Sequence, residues 1–181
     1  KHMSNKILVI SASLNPASRS RIMASEVFAQ LPANADKEFL DLRDYDLPIC
    51  DAGACYANPL VSQMQTKVKE ASCILVAFPV YNYSCSAALK NLIELTGKAW
   101  EGKVVGFVCA AGGHSSYMAV MSIANSLMLD FRCVVIPRFV YSEGSSFNEQ
   151  GLNSDKVKDR LKELGATGVQ MMNALAPIAV S

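Results

Sequence analysis

The chain has 181 residues, 51% of them apolar, and its 17 Lys and Arg side chains nearly balance 16 Asp and Glu side chains, for a formal charge of +1. This length supports one well-packed domain and is too short for two ordinary ones. The near-neutral charge does not favour a nucleic-acid partner, so we expect a small-molecule partner.

The start of the chain, its apolar runs and its cysteines bear on the cellular location of the protein. Residues 1–3, Lys-His-Met, are typical of an expression-tag remnant, which leaves one domain over 4–181 and His114 as the one native histidine; metal catalysis is therefore not expected. No apolar run approaches the roughly 18–20 residues that span a bilayer, and no signal peptide precedes the first strand. The six cysteines have no C-x-x-C spacing. We expect a soluble, cytoplasmic protein with reduced thiols and no membrane association.

Five apolar runs, each followed by a segment with helical spacing, predict alternating strands and helices. The runs are 6–12, 38–42 (the weakest), 73–80, 103–111 and 133–141. The helical segments are marked by Met23, Val27 and Leu31; by Val61, Met64 and Val68; by Leu89, Leu92 and Ile93; by Met118, Met121 and Ile123; and by Val157, Leu161 and Leu164 behind a Ser154 cap.

This alternation predicts an α/β fold with a five-stranded parallel sheet in the doubly wound order 2-1-3-4-5 and helices on both faces. Ligands of such sheets bind beyond the carboxyl ends of the strands, where the winding reverses between strands 1 and 3. The loops after strands 1, 3 and 4 are therefore expected to line one crevice.

The loop after the first strand, 11–20, has the sequence SASLNPASRS and runs into a helix. A helix N-terminus offers unpaired N–H groups and partial positive charge, and the serine hydroxyls add donors, so the loop suits a phosphate monoester. The hydroxyls expected to contribute are those of Ser11, Ser13, Ser18 and Ser20, and Arg19 and Arg21 are candidates for added positive charge. The alternative is that Ser18 is an ordinary N-cap and the other serines are turn residues.

Known phosphate loops do not match this segment. It has neither G-x-x-x-x-G-K-[ST] nor G-x-G-x-x-G, which disfavours a nucleoside triphosphatase and a standard dinucleotide fold. Ser13 and Arg19 have the spacing of the nucleophile and arginine in small tyrosine phosphatases, but covalent phosphoryl transfer of that type requires a thiolate.

The loops after strands 3 and 4 suit a planar ring. In the first of them Pro79 ends a buried strand and two tyrosines flank Asn82, so backbone N–H groups can meet the polar edge of a heterocycle while Tyr81 or Tyr83 covers a ring face. Packing is the alternative for at least one tyrosine, Tyr83 being the stronger candidate. In the second loop the pair at 112–113 indicates close backbone approach or positive φ, and a plain turn is the alternative.

Together the three loops resemble the NAD(P)H-dependent FMN reductases of the flavodoxin-like superfamily, a group that includes flavin-supplying partners of two-component monooxygenases and related quinone, azo and chromate reductases. The matching residues are Ser13, Ser18 and Ser20 in the first signature; Pro79, Val80, Tyr81, Asn82, Ser84, Leu89, Lys90 and Asn91 in the second; and Gly112 and Gly113 in the third. The sequence departs from the pattern at Ala12, where glycine is usual, at Asn15, where arginine is common, and at Val80, where many members have glutamate.

The resemblance implies a flavodoxin-like three-layer α/β/α sandwich and a function. FMN would accept hydride from NADPH or NADH and pass electrons to a second small-molecule acceptor, with a flavin-dependent monooxygenase as a possible partner and a homodimer or homotetramer as the assembly. The FMN phosphate would be held by Ser11, Ser13, Ser18, Arg19 and Ser20, the isoalloxazine edged by Pro79, Val80, Tyr81, Asn82, Tyr83 and Ser84, and its other side lined by Gly112, Gly113 and His114.

No side chain, His114 included, is predicted to be a catalytic acid or base, because hydride chemistry belongs to the cofactor. Two other functions stay open at this stage. One is an FMN electron carrier without NAD(P)H activity, although such carriers tend to be strongly acidic. The other is a phosphatase-like or structural module that binds anions nonspecifically.

Overall fold

The computed structural model describes residues 5–175, in which eight strands and five helices follow one another along the chain. The strands are β1 (Lys6–Ser11), β2 (Lys37–Asp41), β3 (Ala71–Pro79), β4 (Val104–Ala111), β5 (Val134–Val135), β6 (Val140–Glu143), β7 (Phe147–Asn148) and β8 (Gly151–Leu152). The helices are α1 (Arg19–Gln30), α2 (Pro59–Glu70), α3 (Ala87–Thr96), α4 (Val120–Phe131) and α5 (Asp155–Ala174).

The main sheet is parallel and has the order β2-β1-β3-β4-β5, which confirms the predicted topology. Every residue of β3 and β4 is buried, because helices cover both faces of the sheet. Side chains of α1 and α5 share one core cluster with the sheet, and side chains of α2, α3 and α4 share the other. The fold is therefore the predicted three-layer α/β/α sandwich.

The fifth predicted strand, 133–141, is not continuous. It is divided into β5 and β6, both of which pair with β4, and β6 extends to Glu143. Between them Pro137 lacks the N–H that a ladder requires, and Arg138 has a φ of +59°. This interruption moves the second half of the strand onto the carboxyl end of β4, beside the predicted crevice.

The fourth predicted helix differs at its start. A 3-10 segment covers His114–Ala119, and α4 begins only at Val120. Met118 and Met121, which marked this helix, are 49% and 40% exposed, and Ile123 is buried. The core-facing side of α4 consists of Val120, Ile123, Ala124 and Leu127, so an apolar stripe of the helix is left on the surface.

The C-terminal helix α5 lies close against the sheet because small residues face it. A Cβ atom at Gly168 would lie 3.0 Å from the Cys73 Sγ, so no side chain fits between the helix and β3 there. The predicted Ser154 cap is confirmed, since its Oγ accepts the Val157 N–H at 3.4 Å. Between β6 and α5, the β7–β8 hairpin packs on α1.

The predicted tag remnant at 1–3 lies outside the described residues, so the single domain over 4–181 stays a prediction. Within 5–175, none of the helices combines the length and the apolar character that crossing a bilayer demands. The same part of the chain holds six free thiols, four of them buried.

Candidate functional site

The loops after β1, β3 and β4 meet in a cleft of about 290 Å³ at the carboxyl edge of the sheet. The cleft lies where the strand order reverses, which is the usual ligand position in such sheets. Its lining residues are Ser13, Asn15, Ala17, Ser18, Arg19 and Ser20 from the first loop, Pro79, Val80 and Tyr81 from the second, and Ala110, Ala111 and Gly112 from the third.

The N-terminus of α1 opens into this cleft. Ser18 is the N-cap, and its Oγ accepts the Arg21 N–H at 3.1 Å and lies 2.9 Å from the Ser20 Oγ. Ser18 therefore does act as an ordinary N-cap, which was the alternative interpretation. The same helix end also has two adjacent hydroxyls and the positive end of a 12-residue helix dipole, and this combination suits an anion.

The segment before the helix is folded by its own side chains. The Ser13 Oγ accepts the Asn15 N–H at 3.3 Å, and the Asn15 Oδ1 accepts the Ala17 N–H at 2.9 Å. Such side-chain turns take the place of backbone turns and fix the local N–H directions. Asn15 therefore shapes the loop and lines the cleft.

Ser11 lies outside the lining of the cleft. It is fully buried at the end of β1, and its Oγ has no hydrogen-bond partner in the structure. A buried hydroxyl without a partner costs on the order of 1–3 kcal/mol. The structure does not bring Ser11 into the cleft lining with the other four residues predicted to bind phosphate.

Arg19 has an exposed side chain that is directed toward the β7–β8 hairpin. Its guanidinium carbon lies 5.6 Å from the centroid of the Phe147 ring, and a Cβ atom at Gly144 would be 2.9 Å from its Nη1. The glycine therefore makes room for the guanidinium, and the hairpin holds a positive charge beside the start of α1.

The loop after β3 is a tight two-residue turn. Tyr81 and Ser84 exchange backbone hydrogen bonds of 3.0 and 2.9 Å, and the central residues Asn82 and Tyr83 have φ values of +49° and +62°. Positive φ at both central residues is the geometry of a type I′ hairpin turn. Since the pairing uses the N–H groups of Tyr81 and Ser84, those of Asn82 and Tyr83 are left outside it.

A second cavity of about 570 Å³ continues from the cleft and shares Tyr81 with it. Asn82, Ser84 and Cys85 line this cavity, whereas Tyr83 lines neither. Cys85 begins the approach to α3, but burial raises the pKa of its thiol, so the residue is not the activated thiolate that a helix N-terminus sometimes creates.

The two glycines after β4 leave the cleft open. Neither has positive φ, and a Cβ atom built on either meets nothing within 4 Å, so backbone strain and packing do not explain them. Gly112 lines the cleft, while Gly113 and His114 lie outside its lining and are attached to β6. The Tyr141 hydroxyl donates to the Gly113 carbonyl, and the His114 Nδ1 lies 2.5 Å from the Glu143 Oε1.

The hydrogen bonds of two further residues were not predicted, and those of the first, Ser86, join two loops of the site. The Ser86 Oγ donates to the Ala12 carbonyl at 2.6 Å and caps α3, which joins the second loop to the first. Asn91, known from sequence only as part of a motif, bonds Cys50 N–H and the Pro48 carbonyl at 2.8 and 2.9 Å. A serine before a helical run is a recognisable cap signal, but its long-range acceptor is not visible in the sequence.

A larger cavity, of about 860 Å³, lies toward the other end of α3 and contains none of the predicted site residues. Half of its lining residues are charged, with both signs present, among them Lys98, Glu101 and Arg132. We assign the site to the smaller cleft because that cleft has the convergent hydroxyls, the helix N-terminus and the position at the strand reversal.

The fold and the cleft define the class, a doubly wound flavodoxin-like protein with a cleft at the carboxyl edge of its sheet. Solved structures agree: the flavoenzyme NAD(P)H:(acceptor) oxidoreductase FerB from Paracoccus denitrificans superposes with a TM-score of 0.78 at 18% identity, covering 96% of this chain and 100% of its own. A flavodoxin from the domain Archaea superposes with a TM-score of 0.65 at 16% identity, covering 93% and 99%. At these identities the likeness shows the fold alone.

The chain belongs to the NADPH-dependent FMN reductase family, whose model matches residues 5–147. An NAD(P)H-dependent FAD/FMN reductase from Geobacillus thermodenitrificans (strain NG80-2) is 29% identical over 172 residues, with 92% of each chain covered. The protein is thus an NAD(P)H-dependent flavin reductase with FMN and NAD(P)H as cofactors. This confirms the predicted family and activity over the electron carrier and the anion-binding module.

Proposed function

We propose that the cleft is the FMN site, with the phosphate on the N-terminus of α1 and the ring along the second and third loops. The observation that carries this proposal is the opening of that helix end, with its Ser18 and Ser20 hydroxyls, between all three loops. The residues assigned to FMN are Ser11, Ser13, Ser18, Arg19, Ser20, Pro79, Val80, Tyr81, Asn82, Tyr83, Ser84, Gly112, Gly113 and His114.

The residues present fit this cofactor. A phosphate monoester suits the hydroxyl pair and the helix end, and the Ser11 hydroxyl at the end of β1 is unpaired. FMN, when bound, supplies the hydride-accepting ring, so the chain has to bind, orient and shield rather than transfer protons. We propose that the N–H groups of Asn82 and Tyr83, which the Tyr81–Ser84 pairing does not use, meet the polar edge of the ring, and that the bare backbone at Gly112 leaves room beside it.

The substrate that takes the electrons is proposed to be a small molecule such as free flavin or a quinone. Among the relatives, an NAD(P)H:quinone oxidoreductase from Solanum tuberosum is 30% identical over 112 residues, with 58% of each chain covered. A flavin-dependent monooxygenase is a further proposed partner, supplied with reduced flavin. The open second cavity next to Tyr81 supports access for a planar acceptor.

We also propose a homodimer or homotetramer located in the cytoplasm. The exposed stripe of α4, formed by Met121, Met128 and Leu129 and continued by Met118 in the preceding 3-10 segment, supports association of copies, since apolar surface of this kind is favoured at interfaces. The six free thiols support a reducing compartment.

Ser18→Asp tests the phosphate assignment with little risk to the fold, because aspartate caps a helix as well as serine does. Its carboxylate would repel the FMN phosphate, and we expect FMN affinity to fall at least about tenfold in a fluorescence titration. The matched control is Ser154→Asp, the same change at the N-cap of α5. Unchanged FMN affinity in Ser18→Asp would overturn the assignment.

A further inference from the structure

Asp41, the last residue of β2, is a buried carboxylate shared by two arginines. Its side chain is 3% exposed. The Asp41 Oδ2 accepts from the Arg21 Nε at 2.6 Å and from the Arg43 Nη2 at 2.8 Å, and the Oδ1 accepts the Arg43 backbone N–H at 3.2 Å. Burial opposes its charge, but the hydrogen bonds from the two arginines outweigh burial and lower the pKa of Asp41.

Both arginines are also attached to the proposed phosphate loop, Arg21 at the start of α1 and Arg43 in the middle of the loop. Arg21 belongs to the first turn of α1, and its backbone N–H donates to the Ser18 Oγ at 3.1 Å. The Arg43 Nη1 donates to the Pro16 carbonyl at 3.4 Å, in the middle of the loop. One carboxylate on a neighbouring strand is therefore joined both to the helix end and to the turn before it.

The strand register places this carboxylate beside the point where the loop begins. Asp41 lies opposite Ser11 in the β1–β2 ladder, one residue before the loop leaves β1. Asp41 and its arginines do not appear in the cleft lining, where loop residues 13, 15 and 17–20 do. Asp41 can therefore influence a ligand in the cleft in two ways, by its charge at a distance or by holding the loop.

We propose that Asp41 is a positioning residue for the flavin phosphate, which holds the 12–18 loop through Arg21 and Arg43 so that its N–H and hydroxyl groups converge on the phosphate. This inference rests on the proposed phosphate site and adds the residue that sets its selectivity for FMN over riboflavin. Charge-assisted hydrogen bonds of this type are stronger and more directional than neutral ones.

Because Asp41 is negatively charged, an electrostatic effect and a positioning effect predict opposite changes in FMN affinity when the charge is removed. If Asp41 influenced the ligand only by electrostatics, its removal would leave two arginines uncompensated and would strengthen the binding of a doubly charged phosphate. If Asp41 positions the loop, its removal weakens FMN binding although the local charge becomes more positive. Riboflavin, which has the same ring and no phosphate, responds to neither effect.

The experiment compares FMN and riboflavin affinities of the wild type and Asp41→Asn by fluorescence titration. We expect FMN affinity to fall about tenfold and riboflavin affinity to stay within about twofold. The matched control is Glu38→Gln on the same strand, whose carboxylate pairs with Lys6 at 2.6 Å and also with Lys67, and which stands three residues before Asp41. Glu38→Gln should lower stability without changing the ratio of the two affinities.

Unchanged or stronger FMN binding in Asp41→Asn overturns the inference, and so does an equal loss for both flavins. If Asp41→Asn does not fold, Arg43→Lys decides in the same assay, because it keeps the positive charge and removes the guanidinium that donates both to Asp41 and to the Pro16 carbonyl. We expect a loss of FMN affinity alone, and unchanged FMN affinity overturns the inference. Equal affinities of the wild type for FMN and riboflavin would instead contradict the phosphate site itself, which separates the two failures.

Discussion

Two glycines of this chain, Gly106 and Gly112, have different surroundings, so a larger side chain should have a different effect at each position. At Gly106, in the middle of β4, a Cβ atom would lie 2.9 Å from the Leu75 Cδ2 and 3.0 Å from the Ile136 Cδ1. At Gly112, which lines the cleft, a Cβ atom would meet nothing within 4 Å. The first glycine is required by packing, and we propose that the second is required by the site.

Two substitutions separate these roles. Gly106→Ala forces a methyl group into a packed core and should lower the free energy of unfolding by about 1–3 kcal/mol while FMN affinity stays unchanged. Gly112→Val should leave the free energy of unfolding of the flavin-free protein nearly unchanged and weaken FMN binding. Denaturant unfolding and FMN titration are carried out on both variants. An unchanged free energy of unfolding in Gly106→Ala would contradict the packing role of Gly106. Unchanged FMN affinity in Gly112→Val would contradict the proposed role of Gly112 in the site.

At the scale of elements, α3 connects two loops of the site through its cap. Ser86 accepts the Leu89 N–H at 3.4 Å and donates to the Ala12 carbonyl, where β1 ends. Ser154, the cap of α5, has only the first kind of bond in the hydrogen bonds described for it. The start of α3 is thus attached to the end of β1, which leads into the proposed phosphate loop, whereas no such bond is described for the start of α5.

Ser86→Ala should therefore lower the free energy of unfolding by more than the loss of an ordinary helix cap does. We expect a loss of about 2 kcal/mol in the free energy of unfolding, against about 1 kcal/mol for Ser154→Ala, because the buried Ala12 carbonyl also loses a partner. Urea unfolding of the two variants makes the comparison. Equal losses would show that the bond to Ala12 contributes nothing.

The elements also show how far the sequence is informative. Strand order and the three converging loops followed from the buried apolar runs, because parallel strands covered on both faces carry a continuous signal. The division of the fifth strand did not follow, since the apolar run continues through the break and only Pro137 marks it. Apolar spacing at Met118 and Met121 did not distinguish a core face from a surface stripe, which is decided by what packs against the helix.

Some features of the candidate site could be predicted from the sequence and others could not, because some depend on residue type and others on packing. Hydroxyls and glycines are visible as residue types, so the first and third loops could be located. Asp41, Ser86 and the orientation of Arg19 depend on contacts between residues distant in the chain, which one sequence does not display. The direction of a side chain, as at Ser11 outside the cleft lining, is likewise fixed only by the packed sheet.

At the scale of the whole molecule, the surface stripe of α4 predicts association. Met121→Glu places a charge at its centre and should shift the protein to smaller species in size-exclusion chromatography with light scattering. The control is Ile22→Glu on α1, since Ile22 is 36% exposed against 40% for Met121 and belongs to the helix layer on the opposite face of the sheet. A wild type that is monomeric at micromolar concentration would contradict the proposed assembly.

The central claim, that this chain is an NAD(P)H-dependent flavin reductase, is tested most directly by an anaerobic absorbance titration. The protein is mixed with one equivalent of FMN, and NADPH or NADH is added in separate experiments. The account predicts rapid bleaching of the flavin by at least one donor, and the faster reaction names the preferred one. Flavin that stays yellow with both donors would contradict it.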